Sequence, residues 1–181
     1  TRSSGCGLLG AKWWHSTHTT NSNYLAMNFE LSEEHQAYAD SVARFAREQL
    51  AEGALARAHA HAYPWDTAAL LAKQGLLGIA FPEEDGGQGG TLMHAVLAIQ
   101  QVALVCPTSA DIVQAGNFGP IRTFVEYASA EQKERFLPDL LGGRKLISLG
   151  MTEPDAGSAV TDLKTAAQLD GDHYVINGSK I

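Results

Sequence analysis

From Ser32 onward, polar and apolar positions recur with a helical period. Ser32 stands before Glu33 and Glu34, two carboxylates favourable near the positive end of a helix dipole, and Tyr38, Val42, Phe45 and Ala46 then share one face. This predicts a capped helix to about Glu52. A second helix is expected to open at Asp66 after the Tyr63-Pro64 pair, to carry Leu70 and Leu71 inward, and to stop at Gly75. A third runs from Thr91 to Val105 and ends before Pro107. A shorter one around Ile121 to Tyr127 precedes "SAEQKERFL", where Ser129 and Gln132 have the spacing of a capping box. Five or six helices are expected between residues 30 and 141.

After Gly142 and Gly143 the period changes. "KLISLG" reads as a short buried strand; "TAAQL", the turn "DGD" and "HYVI" read as a hairpin, and "NG" at 177–178 offers a second tight turn. The expected fold class is mainly α: a helical region over residues 27–143, followed by an incomplete antiparallel β-region over 144–181. A sheet of so few strands, with open edges, is poorly stable alone, so a truncated protein is expected. There is no internal repeat or low-complexity tract.

Composition narrows the possibilities. A 45% hydrophobic content in 181 residues suffices for a packed core. All 20 acidic residues follow Ala26, and the 11 basic residues in the same span leave residues 27–181 with a net charge of −9. Such a body repels nucleic acid and anionic membrane surfaces. The longest apolar run, "TLMHAVLAIQQVALV", is interrupted by His94, Gln100 and Gln101 and is too short to span a bilayer. Cys6 and Cys106 make neither a disulfide framework nor a CxxC signature, which fits a reducing, intracellular setting. Residues 1–26 are rich in Ser and Thr, lack acids, and show no helical or strand period. They read either as a targeting presequence or as vector-derived or upstream-translated sequence, with Met27 as the natural start.

The candidate chemical groups are mostly explained by structural roles. His15 and His18 could share a helix face and bind a metal weakly. His59 and His61, two residues apart, would point to different helix faces and read as solvent-facing. His94 reads as a hydrogen-bonded core or interface residue, while His35 and His173 have no partner visible in the sequence. Cys106 reads as a small core residue, and Glu83, Glu84 and Asp85 as a solvated loop. No metal site is expected. "EEDGGQGG" lacks the Lys-Ser/Thr of a phosphate loop, and Leu92 stands where a dinucleotide fingerprint needs its last glycine. It reads as a loop between helices, comfortable with positive φ.

"LGMTEPDAGS", residues 149–158, is different. Thr152 and Ser158 supply short hydroxyls, Pro154 biases Glu153 toward extended backbone, and Gly157 leaves room for close approach. These residue types allow a polar, close-fitting wall without naming a ligand; an ordinary loop closing a strand end is the other reading.

Three segments together, "GLLGIAFPEEDGGQGG" (75–90), "EQKERFLPDLLGGRKLISLGMTEPDAGS" (131–158) and "GDHYVINGSKI" (171–181), resemble the amino-terminal half of an acyl-CoA dehydrogenase. The resemblance covers residues 27–181. It implies a helical amino-terminal domain, a middle β-domain, a carboxy-terminal helical bundle and FAD between them, usually in a homotetramer. It places the backbone of Leu149 and Met151 and the hydroxyl of Thr152 against the isoalloxazine ring, with Gly157 and Ser158 near both flavin and acyl-CoA substrate. Hydrogen bonds to the ring's polar edge would stabilise the negative charge that arrives with the electrons.

The reaction it implies is α,β-dehydrogenation of an acyl-CoA thioester in fatty-acid or related degradation. A carboxylate takes the α-proton and the β-hydrogen leaves as hydride to the flavin, which an electron-transfer flavoprotein reoxidises. That carboxylate belongs to the absent carboxy-terminal domain, so no catalytic base is assigned here, and specifically not Glu153. The resemblance departs in two places: the family usually has an acid after the Gly-Ser pair, where this chain has Ala159, and the segment that normally follows "GSKI" is missing. Weak FAD binding and no turnover are therefore expected of the chain alone. An acyl-CoA oxidase or flavin monooxygenase relative, and a non-catalytic helical interaction module, stay open as other readings. The expected location is cytoplasmic, with the mitochondrial matrix as the alternative.

Overall fold

Helix signals at the start of the described chain are strong, and the computed structural model, which describes residues 30–181, follows them. Helix α1 (Glu33–Gln49) starts where the Ser32 hydroxyl accepts the backbone N–H of His35. Helix α2 (Ala54–His59) follows, then α3 (Trp65–Lys73), which ends at Gly75 with φ +73°. Helix α4 (Leu92–Ala103) carries a capping box between Thr91 and His94. Helix α5 (Pro107–Ala115) comes next, then α6 (Pro120–Tyr127) and α7 (Ala130–Leu141), the last opened by the Ser129–Gln132 capping box.

Seven α-helices thus stand among the described residues, where five or six were expected. Both helices absent from the sequence reading have weak signals. Helix α2 has a left-handed Gly53 at its N-cap, no side-chain cap and no buried residue. Pro107 does end α4, but it also opens α5, because a proline at the first helical position loses only an N–H that would be unpaired anyway.

The main core lies where α4 packs on α1 and α5, with α3 also against α5. Val42, Ala46, Leu50, Leu71, Val102, Cys106 and Val113 fill it. Each fully buried Leu or Val contributes about 1.5–3 kcal/mol relative to exposure. A second cluster joins α6 and α7 through Phe81, Ile121, Val125, Leu137 and Leu140. The glycine-rich loop connects the two: a 3-10 turn (Glu83–Asp85) ends at Gly86 with φ +83°, and Gly89 also has positive φ. Asp85 is not simply solvated, since Lys133 of α7 pairs with it at 2.8 Å.

The β-region is smaller than expected. Strands β1 (Ala166–Asp170) and β2 (His173–Asn177) form the predicted antiparallel hairpin about Gly171, with Ala167 opposite Ile176 and Leu169 opposite Tyr174. These four make one apolar face, and Leu169, Tyr174 and Ile176 are all about two-thirds exposed. "KLISLG" is not a buried strand: residues 145–150 have no regular structure, and Leu146 and Leu149 are exposed. Apolar composition does not make a strand when no neighbouring strand satisfies its backbone. The Asn177-Gly178 turn does not form either. The chain runs on, and the Ile181 N–H donates to the Thr152 carbonyl at 3.0 Å.

Candidate functional site

The chain leaves α7 under tight control. Gly143, with φ +67°, passes close to the backbone of Ala68, and Asp139 accepts from Arg144 Nε at 2.9 Å and pairs with Lys145 Nζ at 2.6 Å. These bonds aim the irregular segment that follows. The side chains of Leu149, Met151 and Thr152 are all exposed. Leu149 also borders a shallow groove of about 340 Å³ with Pro120, Phe124, Tyr127 and Ile147. Among the described residues, no acceptor takes the N–H groups of Leu149, Met151 or Thr152. The segment is a strip of open donors with the Thr152 hydroxyl beside them.

Next to this strip sits a buried charge. Glu153 is 6% exposed and its carboxylate accepts the backbone N–H groups of Lys164 at 2.7 Å and Thr165 at 2.9 Å, and the Lys180 ammonium at 3.0 Å. The Lys164 N–H above all, with the Lys180 ammonium and the Thr165 N–H, holds its carboxyl down to about 2. A carboxylate so saturated is a poor proton acceptor, so the geometry gives Glu153 a structural part rather than that of a base. Its own N–H donates to the Ala156 carbonyl at 2.9 Å, and the Ala156 N–H returns a bond at 3.2 Å, closing a turn about Pro154 and Asp155. Beyond this turn Gly157 and Ser158 are exposed, and a Cβ built on Gly157 would meet nothing within 4 Å.

The structure therefore brings Leu149, Met151 and Thr152 into one strip, with Gly157 and Ser158 on the loop that follows. Lys180 is the residue that sequence reasoning missed. Its Nζ also donates to the Met151 carbonyl at 3.0 Å. Nothing local marks a lysine 27 residues from the acid it pairs with.

Other candidates fall elsewhere. His94 is mostly buried at the N-terminus of α4. Its Nδ1 accepts the Thr91 N–H at 3.2 Å, and its Nε2 lies 3.7 Å from Glu34, with the His35 ring tilted against it and the Tyr38 ring meeting it edge-on. Cys106 is fully buried at the start of α5. Burial pushes its thiol up, but hydrogen bonds from Ser109 at 3.1 Å and Arg57 at 3.5 Å outweigh this and hold it below its ordinary value. His59 ends α2, and His61 lies beyond it. His15 and His18 fall outside the described residues. No helix among the described residues is long and apolar enough to cross a membrane.

A family model described as the N-terminal domain of acyl-CoA dehydrogenase matches residues 32–144. The chain belongs to the acyl-CoA dehydrogenase family. It is 34% identical over 155 residues to a short-chain specific acyl-CoA dehydrogenase of Clostridium acetobutylicum, covering 86% of this chain and 41% of that one. It is 35% identical over 152 residues to a 3-sulfinopropanoyl-CoA desulfinase of Paraburkholderia xenovorans, covering 84% and 39%. The fold matches a glutaryl-CoA dehydrogenase from Mycobacterium smegmatis in complex with FADH2, with a TM-score of 0.73 and 25% identity over 83% of this chain and 39% of that one. The chain spans about two-fifths of the length of the relatives it matches.

The strip suits the flavin that one of these structures holds. Its open N–H groups and the Thr152 hydroxyl can donate to ring carbonyls and nitrogens, while Leu149 and Met151 offer apolar contact to a flat ring. The space at Gly157 admits a ligand at the backbone.

Proposed function

We propose that this chain is the amino-terminal part of an FAD-dependent acyl-CoA dehydrogenase that removes the α- and β-hydrogens of an acyl-CoA thioester. The observation that carries this reading is the Leu149–Thr152 strip, whose donors are open beside a buried, fully bonded carboxylate. The residues proposed to face FAD are Leu149, Met151, Thr152, Gly157 and Ser158, with Ser158 also against the substrate. FAD, when bound, supplies the acceptor for the hydride equivalent. The protein's part here is to orient the ring and to exclude water from one side of it. The proton-abstracting carboxylate is assigned to the remainder of the full-length protein. The division into a helical region, 27–143, and the beginning of a β-domain, 144–181, belongs to the same proposal.

The reading extends to an electron-transfer flavoprotein as electron acceptor, a homotetrameric assembly, a place in fatty-acid or related acyl-CoA degradation, and the cytoplasm as location. The bacterial sources of the two relatives support that location over the mitochondrial matrix.

The test is made on the native gene product, purified at the length the cell makes it. Intact mass and visible absorbance are recorded on one sample, and acyl-CoA thioesters are then added without oxygen. A product of several hundred residues whose flavin band bleaches with an acyl-CoA supports the proposal. Rapid oxygen consumption in air without an added acceptor would instead favour an oxidase or monooxygenase relative. A colourless product ending near Ile181 would overturn the enzyme reading in favour of an interaction module.

A further inference from the structure

Resting on that reading, we propose that Glu153 and Lys180 are positioning residues that fix the peptide planes of Met151 and Thr152, so that this edge presents its donors to the flavin ring in one orientation. The peptide unit is planar, so its direction is set by rotation about the bonds on either side. Lys180 Nζ reaches the Met151 carbonyl at 3.0 Å, and that carbonyl shares a plane with the open Thr152 N–H. Ile181, the next residue, donates its N–H to the Thr152 carbonyl at 3.0 Å, and that carbonyl shares a plane with the Glu153 N–H, which is bonded to Ala156. Two successive peptide planes are therefore pinned by bonds made away from the strip's open donors.

Glu153 supplies the anchor. Its carboxylate fixes Lys180 through Oε1 and the entry to β1 through the N–H groups of Lys164 and Thr165. Without Lys180 it would keep two backbone donors but lose its hold on Met151. Without the Glu153 charge, Lys180 would keep one carbonyl and could swing, being 31% exposed. The hairpin gains a purpose from this arrangement. By returning the chain through β1 and β2 it brings residues 180 and 181 back against residues 151 and 152.

The experiment uses the native gene product, FAD as the probe, and Lys180→Met, Lys180→Arg and Glu153→Gln. Thermal melting establishes that each variant is folded. FAD dissociation constants are measured by flavin fluorescence, and midpoint potentials of the bound flavin by dye-coupled reduction. Lys180→Met and Glu153→Gln are each expected to weaken FAD binding about tenfold or more, and Lys180→Arg to recover most of it. The potential separates positioning from charge. Misaligned donors stabilise reduced flavin less, so both Lys180→Met and Glu153→Gln should move the potential negative. A through-space charge effect alone would move them in opposite directions, because one variant removes a cation and the other an anion.

Opposite shifts, or folded variants with unchanged affinity and potential, would overturn this inference and leave the flavoprotein reading standing. A parent protein that binds no FAD would overturn both. Should Lys180→Met fail to fold, the isosteric Glu153→Gln decides by the same two readouts.

Discussion

Asn117 staples the segment that follows α3 to α5 by accepting the Ile79 N–H with its side-chain oxygen at 2.6 Å. Its amide nitrogen donates to the carbonyls of Leu76 at 2.8 Å and Val113 at 2.7 Å, and the side chain is fully buried. The neighbouring backbone reinforces this, since the Gly78 N–H donates to the Gly116 carbonyl.

Removing that amide leaves one buried N–H and two buried carbonyls short of a partner. Asn117→Ala is therefore expected to cost about 3 kcal/mol or more of stability. The check is urea denaturation of both proteins. A loss under about 1 kcal/mol, within the range of an ordinary surface change, would mean that water replaces the amide.

Gly157 separates folding from binding. Because a Cβ there meets open space, Gly157→Leu should change stability by no more than about 0.5 kcal/mol. If the flavin lies against this residue, the same variant should lose FAD from the purified native gene product. Melting curves and the ratio of flavin to protein absorbance read the two effects on one sample. A stable variant that keeps its full flavin content would remove Gly157 from the site.

Glu153 makes part of the stability acid-sensitive. Its folded carboxyl lies at about 2, against an ordinary 4.5, so the unfolded chain binds its proton first as the pH falls. The stabilisation is fully present above about 4.5 and drains away toward pH 2. The melting temperature of Glu153→Gln should lack this contribution. The gap between parent and variant should thus be widest above the ordinary carboxylate range and narrow as the solution is acidified. A gap that is constant from neutral pH to pH 2 would show that the charged form is not what the loop selects.

Local chemistry was readable, and distant pairing was not. Ser32 with its two glutamates and Ser129 with Gln132 each announce a helix start within four residues, and both helices begin there. The hairpin was equally plain in "DGD" between alternating runs. Helix α2 was not, because it forms without a side-chain cap or a buried face. "KLISLG" misled because its apolar residues border an open surface rather than a ladder. Of the candidate site, "LGMTEPDAGS" showed hydroxyls, proline and glycine together but left an ordinary loop as the other reading, and Leu149 and Met151 were singled out only by the resemblance. The clamp under the strip could not be read: Lys164, Thr165 and Lys180 follow Glu153 by 11, 12 and 27 residues, and the hairpin fold alone decides that they meet.

The spacing of that clamp also orders events in time. A ribosome makes the chain from the amino terminus, and units fold as they emerge. The contacts of α1, α4 and α5, and those of α6 with α7, are all available once residue 141 is clear of the exit tunnel. The carboxylate of Glu153 emerges soon afterwards, but the lysine that turns Met151 into place arrives 27 residues later, behind a complete hairpin. The helical body is thus an assembled platform before the Leu149–Thr152 strip can set, and a nascent chain stalled short of Lys180 would present a finished core with an unfinished wall.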